Sequence, residues 1–597
     1  MERRNLASMI EDSAERFGER KAMRFRGHSG WQYFTYGEVI KKIKALAASM
    51  MELGVQRGDR IGIFSNNCPE WAIADFAILS LGAISVPIYA TNTAAQARFI
   101  IDDGELGLIF AGSRDHYEKL SPMKGEGESL RRIILFDSNT EGDDRVLSFQ
   151  DLLTGGQNDA AAQEAVNAQI REGGTDDVAT IIYTSGTTGD PKGVMLTHGN
   201  FFHQFEAVDS SFSVGAEDRS LCFLPLSHVY ERCWSYYIFR RGAENAYISD
   251  PKTIVETLRE VQPTVMVSVP RLYEKVYAAV TQRAEISSTM RKKLFNWAIR
   301  TGKEWEYGIR QKQSMAPTDK IKHSIADRLV LSKIRAVMGG PKNFLSAGGA
   351  PLAREIEEFF FAAGMLVCQG YGLTETSPMI TFNTPGSFRF GTVGKPVPGC
   401  EVKIGANGEV LTRGPNVMKG YYKKPEETKA VFDGEWLKTG DVGEIDVDGF
   451  LKITDRIKDL IITSGGKNVA PQYVEMILSR DMFIEQIVVV GDKRKCLGAL
   501  IVPAFSALEN YVSEQGIAYS SRDELVNNPT VKEFFKKRID ENSFDLANYE
   551  RVKVFSILPR EFEQASGEIT PTLKMKRRII TERYGKIIDA MYESAGE

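Results

Sequence analysis

The sequence predicts an α/β protein with two doubly wound α/β subdomains, a small β-module after them, and a separate final unit. Three observations carry that expectation. Between residues 35 and 110, helix-period and strand-period apolar runs alternate, a rhythm that means parallel strands joined by crossover helices. A second α/β run follows, through 221–226 and 265–269. From Val397 the texture changes to short alternating runs, and beyond Asp455 a new unit begins. At 597 residues the chain also exceeds the roughly 250–300 at which single cores stop growing.

The elements follow in order. Thr35-Tyr36-Gly37-Glu38 has capping-box spacing, and Val39, Ile43, Leu46, Met50 and Leu53 recur behind it at helical period, with Gly54 suited to the stop. Residues 60–64 read as a strand, and Pro69 suits the first turn of the next helix. Residues 83–89 are strand again. Thr93-Ala94-Ala95-Gln96 is a second capping box, Gly104 ends its helix, and 106–110 returns as strand. Residues 137–175 are polar and rich in Gly, Asn and Ala, and read as surface loop with a helix over 160–172. A long, charged, helix-rich stretch fills 281–337, and its polar residues read as a solvated face. Ala406-Asn407-Gly408 and Asp448-Gly449 are turn signals between alternating runs, the mark of antiparallel hairpins. In the last unit 486–490 and 499–502 read as strands and 575–591 as a terminal helix.

Composition narrows the function classes. Hydrophobic residues at 43% and charged residues at 26% are ordinary for a globular chain. A net charge of −4 argues against nucleic acid as a main partner. The six cysteines are scattered without a Cys-x-x-Cys pair, which reads as reduced thiols of a cytoplasmic protein. The six histidines form no metal-spaced pair. Residues 1–5 carry no secretory signal, and the most apolar window, 71–90, is interrupted by Asp75, Gly82 and Pro87, so no spanning helix is expected.

The most informative stretch is Tyr183-Thr184-Ser185-Gly186-Thr187-Thr188-Gly189-Asp190-Pro191-Lys192-Gly193, just after an apolar strand. Glycines let backbone N–H groups turn inward, hydroxyls add donors and Lys192 adds a point charge, which together can wrap a polyphosphate. Pro191 before Lys192 and Gly193 after it are wrong for the common nucleotide-triphosphatase loop.

Five further clusters stand out. Pro225-Leu226-Ser227-His228 offers His228 as a catalytic candidate, against the plain reading of a core histidine. Ser346-Ala347-Gly348-Gly349-Ala350-Pro351 is a turn too small-chained to keep a flat ring off its backbone. Gln369-Gly370-Tyr371-Gly372-Leu373-Thr374-Glu375-Thr376 sets an aromatic face, a hydroxyl and a carboxylate beyond a strand end, where doubly wound sheets bind ligands. A hard carboxylate beside phosphates suits Mg²⁺, although Glu375 reads equally well as an acid at a helix start. Thr439-Gly440-Asp441 with Asp455-Arg456-Ile457-Lys458-Asp459 can reach vicinal ribose hydroxyls, although either cluster alone reads as surface charge. Thr570-Pro571-Thr572-Leu573-Lys574-Met575-Lys576-Arg577 can bring a lysine to a reaction centre, against the plainer reading of a basic helix start.

In this order and spacing the clusters resemble the adenylate-forming (AMP-binding) superfamily over essentially the whole chain, and within it long-chain fatty acyl-CoA synthetases. Val269-Pro270-Arg271-Leu272-Tyr273-Glu274-Lys275-Val276 and Gly465-Gly466-Lys467-Asn468 are part of that likeness. The resemblance implies a large N-terminal domain over 1–457, with a helical insertion near 281–337 and a β-module near 390–455. A small mobile α+β domain over 458–597 would follow, hinged at Lys458. It implies that Thr184, Ser185, Gly186, Thr187, Thr188 and Gly189 close over the β- and γ-phosphates of ATP with Lys192 alongside. Gly349, Ala350, Pro351 and Tyr371, in the Gln369-Gly370-Tyr371-Gly372 turn, would hold adenine. Thr374 would meet phosphate, Glu375 would hold Mg²⁺, and Asp441 with Arg456 would take the ribose. Lys574 would bridge the reacting carboxylate and the α-phosphate, and Gly465 and Gly466 would face CoA.

The implied reaction converts a fatty acid, ATP and CoA to acyl-CoA, AMP and pyrophosphate, with peripheral contact at the inner face of a membrane as a further expectation. Val229 stands where amino-acid-activating relatives place an Asp, which argues against amino acids. Arg232 stands where some long-chain enzymes carry a gating Trp, with Trp234 two residues on. A fatty acyl-AMP ligase serving a carrier protein is the alternative, and a non-catalytic acyl-binding relative is a third reading.

Overall fold

The computed structural model describes residues 5–594 apart from 28, 124–128, 138–143, 185–189, 251–252, 466, 545, 565 and 571–574. Two large sheets form the first part of the chain. In the first, strands Ile84–Tyr89, Arg60–Ser65, Leu108–Ala111, Arg132–Leu135 and Val146–Ser148 run parallel, and Val178–Thr184 joins them beside Ile84–Tyr89. The second has Arg219–Cys222, Glu244–Tyr247, Val265–Ser268, Phe344–Ala347 and Val367–Gly372 as its parallel centre. Helices cover both sheets, as the alternating pattern requires.

Both capping boxes close as expected. Thr35 and Glu38 cap Tyr36–Glu52, and Thr93 and Gln96 cap Ala94–Gly104. Pro69 opens Pro69–Ser80, where its missing N–H costs nothing.

Three features differ from the expected pattern. The edges of both sheets are antiparallel: Val178–Thr184 pairs with Lys192–Thr197, and Val367–Gly372 with Met379–Phe382. A hairpin absent from the sequence reading, Lys21–Gly27 with Gly30–Thr35, adds to the second sheet through Met23 opposite Asn245, so the chain start ties the two sheets together. The 137–175 stretch holds a strand, Val146–Ser148, and a helix, Phe149–Gln157, besides the expected Ala160–Glu172. Its glycines read as loop but serve helix packing, because a Cβ on Gly156 would stand 1.9 Å from the Ala45 carbonyl oxygen.

The β-module is an antiparallel sheet of Glu401–Ile404, Glu409–Arg413, Trp436–Ile445, Phe432–Asp433 and Leu451–Arg456. Beyond it, buried residues from Ile461 to Tyr592 form their own hydrophobic cluster around Ile484–Val490, Leu497–Pro503 and Val552–Ile557. The terminal helix is two helices, Arg577–Arg583 and Gly585–Glu593, which meet at Tyr584.

The two α/β halves are joined by a buried charge network. Arg232, fully buried, is paired with Asp75 on Pro69–Ser80, where the Asp75 side chain is 1% exposed. Its Nε also donates to Tyr236 Oη at 2.8 Å and its Nη1 to Thr180 Oγ1 at 2.6 Å. Burial, the largest single effect, works against the guanidinium charge, but Asp75 and Tyr236 together raise the Arg232 pKa. A fully buried pair persists only when such hydrogen bonds satisfy it.

Candidate active site

Thr184 stands opposite Lys192 in the antiparallel pair at the edge of the first sheet. Ser185, Gly186, Thr187, Thr188 and Gly189 lie outside the described residues. Side chains fix the base of this strand pair. Tyr183 Oη donates to Asp103 Oδ2 at 2.5 Å. Gly193, opposite Tyr183, admits no side chain, because a Cβ there would meet Ile181 Cγ2 at 2.6 Å.

Lys192 Nζ lies 5.1 Å from the centroid of the Tyr421 ring. Tyr421 is placed by Gly420–Tyr421, which adds to the sheet edge with Tyr421 opposite Val194. Its hydroxyl donates to Glu375 Oε1 at 2.9 Å. Burial, then the Glu375 charge, push the Tyr421 phenol well above its usual range, so it stays a donor. Lys192, Tyr421 and Glu375 thus form a line from the strand pair to the carboxylate. Tyr421 was missed in the sequence reading, and Gly-Tyr-Tyr at 420–422 was its only signal.

Glu375 sits on the short turn Thr374–Thr376. Thr376 Oγ1 donates to the Pro378 carbonyl oxygen at 2.6 Å and accepts from Leu373 N at 2.9 Å, which fixes that turn. Among the described residues only Oε1 of Glu375 is hydrogen-bonded, which leaves Oε2 for a ligand. One free hard oxygen fits Mg²⁺, which keeps most of its waters and takes one or two carboxylate oxygens from a protein. No cluster of three or more His, Cys, Asp or Glu suited to a metal occurs among the described residues.

The parallel neighbours Phe344–Ala347 and Val367–Gly372 deliver two turns side by side at their C-terminal ends. Gly349 and Ala350 are exposed there, and Gly349 has φ +85°, in the region that favours glycine. The Gln369 amide holds this turn from behind: Oε1 accepts from Leu352 N at 3.0 Å and Nε2 donates to Leu352 O at 3.3 Å. Gln369 is therefore a buried support for 349–352. Gly370 and Gly372 pack against Phe382 and the Pro378 carbonyl.

Tyr371 Oη donates to Asp441 Oδ2 at 2.6 Å, and Arg456 Nε donates to Asp441 Oδ1 at 2.9 Å. Asp441 and Arg456 face each other across Trp436–Ile445 and Leu451–Arg456, so β register sets the pair. Burial, then the Asp441 charge, hold the Tyr371 phenol well above its usual range. Burial opposes the Arg456 charge, but Asp441 raises its pKa overall. Next to this pair Asp455 is buried and its carboxyl is pushed up to about 7, chiefly by burial.

His228 caps Val229–Arg240: its Nδ1 accepts from Tyr230 N at 3.2 Å, which leaves the ring proton on Nε2. Further along the same helix Tyr230, Trp234 and Tyr237 line a narrow apolar cleft of about 30 Å³ with Phe344, Met379 and Phe382 among others. Tyr230 Oη and Ser346 Oγ are 2.5 Å apart, which closes one wall. Trp234 Nε1 donates to Ser220 Oγ at 2.9 Å, and the ring packs on Phe344 at 5.1 Å. Arg232 points the other way, into the Asp75 network. The helix therefore turns its tryptophan to the cleft and its arginine to the core.

Lys574 and Gly466 lie outside the described residues. Gly465 stands at the tip of the Ile461–Ile462/Asn468–Val469 hairpin, where a Cβ would meet only Thr463 Oγ1 at 4.0 Å. Arg577, three residues after Lys574, is tied to Glu475 at 2.7 Å. The last unit meets the first through the 269–276 stretch. Arg271 Nη2 donates to the Glu485 carbonyl oxygen at 2.6 Å and pairs with its carboxylate, and Lys275 Nζ lies 3.3 Å from Glu485 Oε1. Arg480 adds a pair to Glu355 at 3.1 Å.

Residues 10–422 match the family described as AMP-binding enzyme, and 458–596 match the AMP-binding enzyme C-terminal domain. The chain is 37% identical over 566 residues to the long-chain-fatty-acid–CoA ligase FadD15 of Mycobacterium bovis, covering 94% of this chain and 92% of the relative. It is 31% identical to the chloroplastic long-chain-fatty-acid–[acyl-carrier-protein] ligase AEE15 of Arabidopsis thaliana, covering 97% and 85%. Among solved structures, the adenylation domain of a carboxylate reductase from Mycobacterium chelonae superposes with a TM-score of 0.77 at 23% identity, covering 99% of this chain and 91% of that one.

Proposed function

The chain belongs to the AMP-binding enzyme family, and from that premise we propose that it is an ATP-dependent long-chain fatty acid–CoA ligase. The observation that carries this reading is the Lys192–Tyr421–Glu375 line, a cation and a hard carboxylate joined through one phenol. With the Tyr371–Asp441–Arg456 trio, which begins on the strand just before Glu375, it suits the phosphate and nucleoside parts of an adenylate.

In the first half-reaction the fatty carboxylate attacks the α-phosphorus of ATP and pyrophosphate leaves. A fatty carboxylate, with a pKa near that of Glu at about 4.3, is already ionised at neutral pH, so no general base is needed. What is needed is alignment of two anions and relief of their repulsion. Residues 184–189 and Lys192 hold the leaving phosphates, and the 349–351 turn and Tyr371 receive adenine. Asp441, with Arg456 on its other oxygen, receives the ribose hydroxyls, and Thr374 meets phosphate. His228, oriented by Tyr230 N, presents Nε2–H beside the reacting carboxyl. Lys574 bridges carboxylate and α-phosphate. Glu375 would hold Mg²⁺, whose charge offsets that of the phosphates.

In the second half-reaction the CoA thiol attacks the acyl carbon and AMP leaves. We assign 1–457 to the adenylating domain and 458–597 to a mobile one hinged at exposed Lys458. The separate hydrophobic cluster from Ile461 onward supports that division. Rotation would exchange Lys574 for the Gly465-Gly466 segment, so one site serves both steps. The Arg271 and Lys275 pairs with Glu485 are contacts such a rotation would break.

Lys574→Ala tests this scheme. It abolishes adenylate formation yet leaves thioester formation from supplied acyl-adenylate largely intact, whereas equal loss of both half-reactions refutes the assignment. The carrier-protein reading is favoured by the AEE15 similarity, and thioester formation on CoA rather than on a carrier decides against it. A long-chain substrate partitions into bilayers, so the enzyme is read as touching the inner face of a membrane. Among the described residues no helix is long and apolar enough to cross one.

A further inference from the structure

We propose that the helical hairpin between 281 and 337 docks the enzyme on an anionic lipid bilayer through the exposed face of Pro317–Ala326 and the turn that follows. The proposal rests on the membrane contact read above and names the surface that makes it.

The first observation is charge. Residues 281–337 carry thirteen Lys and Arg against five Asp and Glu, a net of +8 in a chain whose net is −4. The rest of the protein is therefore at −12. Six of its thirteen cations, Arg283, Arg291, Lys293, Lys320, Arg328 and Lys333, are exposed and form no ion pair among the described residues.

The second observation is apolar. Ile321, Ile325 and Leu329 recur every four residues along Pro317–Ala326 and Asp327–Leu331, and are 62%, 48% and 42% exposed. That spacing puts them in one stripe. Ile309, at the end of the facing helix Thr289–Arg310, is 50% exposed, and Ile286 and Met290, at the start of the hairpin, are 79% and 81% exposed. Single exposed aliphatics need no explanation, but a stripe flanked by free cations is the composition of a helix that lies in a bilayer interface.

The third observation is that the hairpin is a firm platform. Gly302 lets Thr289–Arg310 approach Arg354–Ala362 so closely that a Cβ would stand 2.1 Å from the Ala362 carbonyl oxygen. Lys303 pairs with Glu358 at 2.6 Å, and Trp305 stacks on His323 at 4.5 Å, which locks the two helices of the hairpin together. The stripe is therefore presented outward by elements packed on the half that carries the apolar cleft. A protein partner would also accept an apolar stripe, but a net of +8 spread over the whole hairpin fits an extended anionic plane better than a localised acidic patch.

The test is sedimentation with vesicles of phosphatidylcholine alone or with about one third phosphatidylglycerol, without ATP, CoA or fatty acid. Each cation near such a surface strengthens binding roughly fivefold. The wild-type enzyme should sediment with the anionic vesicles and not with the neutral ones, and raising salt to about 0.5 M should release it. Lys320→Glu/Arg328→Glu/Lys333→Glu should weaken binding at least about a hundredfold, and Ile321→Ser/Ile325→Ser/Leu329→Ser at least about tenfold. Neither triple variant should shift the melting temperature or the turnover of a short water-soluble carboxylate, since every altered side chain is exposed.

Wild-type enzyme left in the supernatant with anionic vesicles overturns the proposal, as does a serine variant that binds like wild type. A concentration-dependent dimer abolished by the serine substitutions overturns it in favour of a second copy. Vesicle binding with no ligase activity on any carboxylate would sink the catalytic reading and leave this one standing.

Discussion

Tyr421→Phe isolates one hydrogen bond in the candidate site. The substitution keeps the ring that lies 5.1 Å from Lys192 Nζ and removes the hydroxyl that donates to Glu375 Oε1 at 2.9 Å. A hydrogen bond to a charged group is worth about 1.5–3 kcal/mol, and water reaching half-buried Glu375 recovers part of that, so the net loss should be about 1–1.5 kcal/mol. At 1.4 kcal/mol per tenfold, kcat/KM for ATP should fall roughly five- to twelvefold. The pH profile should keep its shape, because the phenol is neutral throughout. The Mg²⁺ concentration for half-maximal rate should rise, because an unsteadied Glu375 holds the ion less well. Pyrophosphate release under varied ATP and Mg²⁺ measures both. Tyr421→Ala, which also strips the face from Lys192, should lose a further factor of about 2–5. A Phe variant with unchanged kcat/KM and unchanged Mg²⁺ dependence would refute the idea that Tyr421 couples the strand pair and the carboxylate.

Asp75→Ala leaves Arg232 buried without its counter-charge and should destabilise the protein by about 3–5 kcal/mol in urea unfolding; Asp75→Leu with Arg232→Met should restore most of it, and no such recovery would mean the network is not the cause. Burial pushes the Glu231 carboxyl up to about 8, with Leu224 N and Cys222 opposing. A raised carboxyl binds more protons folded than unfolded, so its contribution is full below about 4.5 and is lost as pH rises through 8. Stability should fall between pH 5 and 8.5, and Glu231→Gln should flatten that slope; an unchanged slope would count against the assignment. Trp234→Ala enlarges the narrow apolar cleft that Trp234 lines; if the acyl chain enters there, the preferred acyl length should shift upward in a carboxylate panel, while Arg232→Lys, on the opposite side of the helix, should not shift it.

What could be read in the sequence was local. The capping boxes at Thr35/Glu38 and Thr93/Gln96 are three-residue signals, and the structure closes both. The β-module turns and the strand-helix rhythm are likewise carried by neighbours in the chain. Partners far apart in sequence were illegible. The Lys21–Gly27 strand finds its neighbour at 244–247, and Asp75 finds Arg232 across 157 positions. Tyr421 gains its meaning only when a two-residue strand sets it against Val194. In Phe149–Gln157 glycines read as loop because their use, close approach to Ala45, lies in another helix. The gate position shows the same limit: spacing put Arg232 and Trp234 near the cleft, but only helix rotation tells which one faces it.

The central claim is that a single site adenylates a long-chain fatty acid and then passes it to CoA. The most direct measurement follows AMP, pyrophosphate and acyl-CoA from palmitate, ATP and CoA, with each substrate omitted in turn, across carboxylates from short to very long. Pyrophosphate and enzyme-bound acyl-adenylate should form without CoA, equal amounts of AMP and acyl-CoA should appear once CoA is added, and turnover should be highest with long chains. Adenylate that accumulates without thioester in the presence of CoA would contradict it, and so would the absence of pyrophosphate with every fatty acid tested.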